Sequence, residues 1–386
     1  MIVYNKSDLE NYILNQEAKS LQKMKFISKE KQLQISKILE TLKTSDNWFI
    51  RLGFLLLGFF LYSSIIGSLS FFILPLFNDN FKIIVFIYFI IGIVGAEILA
   101  TQNYFKHGLD DAFIIGMQIA LCSAVGIATE NVVFSFIAMV FIGLFCGIRY
   151  IHSISILSAC FGVVLSVFYA VVEYHLFDAL FLPFFGLLLA VVLFLMARKF
   201  SNKEEFIYYQ NAIQLVKIFS YLLAYFSLNY YVVRELSQEL LHIVVTKNKD
   251  IPFAYVFYVL TFLIPVLYCC FSLKNKNRIL FYISILTFGF SLFTIRYYYA
   301  ILPIEIALTI GGIVLFLIAY FAIKYLKNEE TGITFQEDRN AEKSVFLDAQ
   351  VLIINSQNVN ATSQIPQSDM KFGGGGFSGG GANGDF

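Results

Sequence analysis

Ten times along this chain an apolar run matches the roughly 17–25 residues that an α-helix needs to cross the hydrocarbon core of a bilayer. The runs cover residues 52–77, 83–100, 112–128, 132–148, 151–172, 180–197, 212–233, 252–272, 280–295 and 304–325. In lipid every backbone polar group must be bonded internally, so repeated runs of this length fold as helices. Composition agrees. Hydrophobic residues make up 58% of the 386 and charged residues 14%, against about 25% charged in soluble domains. A mean hydropathy of +0.71 completes the case. The expected class is all-α: a polytopic transmembrane helical bundle of about ten spans, with a helical N-terminal segment and a disordered C-terminal tail. The division expected is 1–48 for a cytoplasmic helical head, 49–326 for the membrane domain, and 327–386 for a cytoplasmic glycine-rich tail.

The basic residues orient this array. With a cytoplasmic N-terminus, twenty-two of the 28 Lys and Arg fall inside and five outside, and Lys217 lies within a span. The positive-inside rule then places both termini in the cytoplasm of a cell inner (plasma) membrane. Tyr230, Tyr231, Tyr297, Tyr298 and Tyr299 fall at the outer interface in that orientation, where amphipathic rings are favoured. The first 46 residues are polar, which predicts an internal anchor rather than a cleaved leader.

Short-range signals divide the chain further. Thr129, Glu130 and Asn131 separate the third and fourth runs as a tight hairpin. Only Arg149 and Tyr150 separate the fourth and fifth, so either two helices or one long bent helix fits. In the head, Ser7 and Glu10 read as a capping box and a second helix is expected from Ser28. The second helix, rich in lysine, suits either an anionic headgroup layer or packing on the membrane domain. Leu236, Leu240, Leu241 and Val244 predict a short interfacial helix between Arg234 and Asp250. Gly143 and Gly147 form a GxxxG pair, suited to close packing within one chain or to a homo-oligomer. Pro265 predicts a kink in the eighth span.

Chemistry is sparse. The net charge of +1 argues against nucleic acid as a partner. Cys122, Cys146, Cys160, Cys269 and Cys270 lie in apolar runs and read as small hydrophobes. There is no nucleophile elbow, no zinc-protease His pair and no phosphate loop, so no catalytic residue, cofactor or metal is expected and the balance leans away from an enzyme. Glu97 and Lys217 sit near the inner ends of their spans, within reach of water. Arg296 and Glu305 flank one outer turn as a candidate ion pair. Glu173, His175 and Asp178 form an acidic turn with too few ligands for a metal.

After residue 327 the chain turns polar and ends in glycine repeats carrying Phe372, Phe377 and Phe386. Glycine loses the most backbone freedom on ordering, so this tail is expected to be disordered alone, with the three rings as candidate anchors for a protein partner. The ending Phe-Gly-Gly-Gly-Gly-Phe-Ser-Gly-Gly-Gly-Ala resembles tails on bacterial membrane proteins of the TPM-domain group. The head around Ile27, Ser28, Glu30 and Gln32, ahead of repeated spans, resembles bacterial multi-spanning families without an assigned activity. These resemblances imply architecture and carry no site residue. The function expected is a membrane scaffold or interaction protein with the lipid bilayer and a tail-binding protein as partners. The competing expectation is a transporter or channel for an apolar or neutral solute.

Overall fold

A computed structural model describes residues 2–23, 26–39, 42–45, 47–73, 81–241 and 250–298, with isolated positions between 306 and 324. All of these fall in the unit Met1–Ala341. Among the described residues the regular structure is helical, apart from one isolated parallel bridge between Lys43 and Tyr104. The head carries α1 (Lys6–Lys23) and α2 (Lys29–Ile38). The membrane domain carries α3 (Trp48–Ile73), α4 (Phe81–Thr101), α5 (Leu109–Thr129), α6 (Val132–Arg149), α7 (Ser153–Glu173), α8 (Leu182–Ser201), α9 (Gln210–Leu228), α10 (Tyr230–Leu241), α11 (Ala254–Lys274) and α12 (Arg278–Tyr298).

Nine helices among the described residues are long and apolar enough to cross a membrane. They match the first nine runs. Of the tenth, the described residues from Ile306 to Lys324 are helical, and the rest lie outside the described set, as does all of the tail. The apolar surface faces outward: Phe49, Phe60 and Phe71 along α3 are 72–79% exposed. Polar side chains turn inward instead. On α12, Ser284, Thr287, Ser291 and Thr294 are buried while Ile285, Leu286, Leu292 and Phe293 are exposed. This inversion of the soluble pattern suits a lipid solvent, where small hydroxylated residues let helices approach.

Local chemistry explains the boundaries. Glu130 adopts a left-handed backbone (φ 55°) and donates to Gly126 O, while Asn131 Oδ1 accepts from Val133 N at 2.8 Å and starts α6. Tyr150 N closes α6 on Cys146 O, and Ile151 (φ 54°) reverses the chain before α7. The fourth and fifth spans are therefore two helices. Gly143 faces Ser155 O and Ala159 N across that junction, where a Cβ would stand 2.7–2.9 Å from both, and Gly147 faces Ile156. The GxxxG pair is engaged by the chain's own α7.

Two expectations change. In the head, α1 begins at Lys6, with Asn5 ahead of it, and Ser7 lies inside the helix with its hydroxyl on Asp8. The interfacial helix begins earlier than the leucine pattern places it. Asn229 breaks the seventh span, its Oδ1 accepting from Tyr231 N and Val232 N, so α10 covers Tyr230–Leu241. Pro265 lies within α11, and the helix continues through it. The proline has no N–H for the carbonyl of Thr261 four residues back. Ser291 Oγ of α12 donates to that carbonyl at 2.6 Å.

Candidate functional site: a buried polar chain beneath the head

The head is pinned to the membrane domain by its own backbone. Val3 N donates to Arg149 O, Lys43 N to Asn103 O, and Phe105 N to Lys43 O, at 2.8–3.1 Å. Tyr4 OH adds a bond to Tyr104 O at 2.9 Å. Tyr4 and Tyr12 meet Phe105 edge-to-face, and Leu9 is buried in the same cluster. A backbone pairing cannot slide by a fraction of a residue, so the head has one register on the loop between α4 and α5.

Beneath this loop runs a chain of polar side chains. Asp110 Oδ1 accepts from His107 N and Gly108 N at 2.9 Å, tying the loop to the first turn of α5. Asp111 Oδ2 takes Arg51 of α3 at 2.6–2.7 Å through two guanidinium nitrogens. Its Oδ1 lies 3.2 Å from His152 Nε2, off the line of an aligned hydrogen bond. His152 Nδ1 meets Ser155 Oγ at 2.6 Å, and Ser155 Oγ accepts from Gln118 Nε2 at 2.6 Å. Ser158 Oγ donates to Gln118 Oε1 at 2.9 Å. Asp110, Asp111, His152, Ser155 and Gln118 are all buried.

Ser155 Oγ accepts from Gln118, and its contact with His152 Nδ1 is met by either ring tautomer. Ser158 thus donates to Gln118 and Gln118 to Ser155, while Arg51 meets Asp111 on the oxygen away from His152. Gln118 lies nine residues into α5, about 14 Å at 1.5 Å per residue, near the middle of a core about 30 Å thick. Carboxylate, imidazole and hydroxyl in this order resemble a hydrolytic relay. Ser155, however, is fully buried and bonded to Gln118. The arrangement joins α3, α5 and α7 rather than presenting a nucleophile.

The loop above is electrostatically tuned. Burial pushes the Lys106 ammonium down from its ordinary value, Arg51 acts the same way, and Asp111 and Asp110 oppose. Burial pushes the Tyr4 phenol up, and the Asp110 charge adds to it. A second pair lies beside the first. Arg149 holds Glu97 through Nε at 2.5 Å and Nη2 at 2.8 Å, and Tyr150 OH donates to the same carboxylate at 2.6 Å. Burial and that bond to Glu97 both push the Tyr150 phenol up.

Of the residues singled out by sequence, Glu97 is paired with Arg149 and keeps 30% of its side chain exposed, and Lys217 donates to Ser201 Oγ at 3.0 Å. Asp178 spends its carboxylate on Leu180 N in the turn before α8. No metal-holding group of His, Cys, Asp or Glu occurs among the described residues. Arg296 stands in the last turn of α12. Its proposed partner Glu305, and Phe372, Phe377 and Phe386, lie outside the described residues. The polar chain itself was not singled out, although Asp111 and Gln118 are seven residues apart and Ser155 and Ser158 three, spacings that share a helix face. At the opposite ends of the helices, Tyr230 OH donates to both oxygens of Asp250, Arg234 Nη1 donates to Tyr230 OH, and Tyr231 meets Tyr297 at 5.0 Å. The two tyrosine clusters thus converge. No protein-family model, curated protein or solved structure matches the chain.

Proposed function

We propose that this integral membrane protein is a scaffold of the inner (plasma) membrane, with both termini cytoplasmic, that presents its head and tail to protein partners. The observation that supports this reading most is the register-locked docking of the head: Val3 and Lys43 pair by backbone with Arg149, Asn103 and Phe105. A head held this way has a defined height and orientation at the membrane surface, which is what a recruitment platform requires. The excess of Lys and Arg on the head side supports the cytoplasmic orientation. The tail is the second segment offered to partners, with Phe372, Phe377 and Phe386 as its anchors.

A second reading has one observation in its favour. The Asp111–His152–Ser155–Gln118 chain carries polar groups from the head face to mid-membrane, which suits transport of a proton or a small neutral solute. Reconstitution into vesicles separates the two. The scaffold reading expects no proton, glycerol or urea flux above protein-free vesicles. Flux that falls in the Asp111→Asn variant would replace the scaffold with a transporter.

A further inference from the structure

Among the described residues, two cations without a carboxylate partner gather at the head-side end of the α8–α9 hairpin. Lys217 lies within a span, half-buried, and its bonded partner is the neutral hydroxyl of Ser201. Arg198 is close enough to act electrostatically on both Lys217 and Tyr221. Two cations therefore repel one another at one place, and among the described residues no carboxylate is hydrogen-bonded or ion-paired to either. The nearest acids in sequence, Glu204 and Glu205, line a different space. They face the head with Lys6 and Glu10 across a cleft of about 520 Å³.

The surroundings complete a site. Tyr221 meets Phe194 at 5.2 Å and Tyr268 at 5.4 Å, so α8, α9 and α11 lay an aromatic floor. Arg198 stands four residues from Phe194 and Lys217 four from Tyr221, which puts both cations one turn above that floor. On the lipid side, exposed Val191 and Leu195 continue down α8 from exposed Arg198, a row that acyl chains can follow. Charge above and hydrocarbon below is the pattern of an anionic lipid rather than of a soluble anion.

We propose that Arg198, Lys217 and Ser201 bind the phosphate of an anionic phospholipid whose acyl chains lie along Val191 and Leu195. The lipid phosphate supplies the negative charge that the two cations lack and accepts from the Ser201 hydroxyl, releasing Lys217 from it. Because α8, α9 and α11 all border the site, occupancy ties three helices together at the bilayer surface.

The test titrates the full chain in neutral detergent with phosphatidylglycerol and counts bound lipid by native mass spectrometry. Saturable binding of phosphatidylglycerol is expected, with none for phosphatidylcholine. Each cation near an anionic membrane surface is worth roughly a fivefold change in affinity, so Arg198→Gln/Lys217→Gln is expected to weaken binding by about 25-fold. Lys274→Gln/Lys276→Gln removes the same charge from the α11–α12 turn and is expected to bind as the unaltered protein does. Wild-type binding by the Arg198/Lys217 variant, an equal loss in the Lys274/Lys276 variant, or displacement of the lipid by equimolar inorganic phosphate would each overturn the proposal. Should the double variant not accumulate, Arg198→Gln alone decides at its exposed position: about fivefold weaker binding supports the site, and unchanged binding overturns it.

Discussion

Asp111 joins three parts of the membrane domain through one buried carboxylate. Arg51 and His152 approach its two oxygens from α3 and from the start of α7, and its side chain is only 5% exposed. Replacing it by Asn removes the charge that Arg51 meets while keeping the shape. Arg51 retains about a third of its side-chain exposure and can recover some water, so the cost falls below that of a fully buried pair. A loss of about 1–3 kcal/mol is expected, read as a lower melting midpoint in detergent, and an unchanged midpoint would refute the bridging role. Tyr4 gives a pH signature. Its phenol is raised above the ordinary 10.0, so the stability it contributes is full below that pH and lost as pH rises through the folded value. Lys106, depressed by burial, runs the other way, gaining between its folded value and 10.5. Tyr4→Phe should cost about 1 kcal/mol near neutrality and flatten the alkaline loss of stability above about pH 10. An alkaline limb of undiminished slope in Tyr4→Phe would assign that loss to other groups. Sequence marked Glu97 and Lys217 because a charge inside an apolar run is visible at once. Asp111 escaped because it stands at a helix entrance, and its meaning depends on Arg51 and His152, 60 and 41 positions away.

Helices were the most legible level, because a span declares itself by length and composition without reference to its neighbours. The tight turn at Glu130 and the nine described spans follow from that rule. The break at Asn229 does not. It depends on a side chain choosing the next helix's N–H groups over continuation, and on Tyr225 and Thr294 receiving its amide. Pro265 is a related case. Its effect is absorbed by Ser291, a residue on another helix, and this predicts coupling. Ser291→Ala should cost about 1–3 kcal/mol by leaving the Thr261 carbonyl unsatisfied. In a Pro265→Ala background the carbonyl regains its own backbone donor, so the same change should cost markedly less. Equal costs in both backgrounds, measured as a double-mutant cycle, would disprove the compensation. Glycine at the α6–α7 contact gives a contrast within one experiment. Gly143→Ala should lower the melting midpoint, at about 1–3 kcal/mol for overpacking, whereas Gly53→Ala, whose Cβ meets nothing within 4 Å, should leave it unchanged.

For the whole molecule, orientation and head docking can be examined together. Reporter fusions after Lys203 and Asn248 should give cytoplasmic and external signals respectively, and a reversed pair would invert the topology. With native cysteines replaced, Lys43→Cys and Tyr104→Cys should form a disulfide under mild oxidant, because the two residues are bridge partners. Failure to crosslink in intact membranes would show the head undocked. That docking also has a history in time. Val3 is made about 150 residues before its partner Arg149, which at about 5–20 residues per second is roughly 7–30 s of translation. Tyr4 and Leu9, buried in the finished protein, wait for the cluster that includes Phe105, made about 100 residues after them or roughly 5–20 s later. The nascent head therefore exposes apolar side chains until the loop after α4 exists, and its bond from Val3 to Arg149 closes only once α3 to α6 have been made.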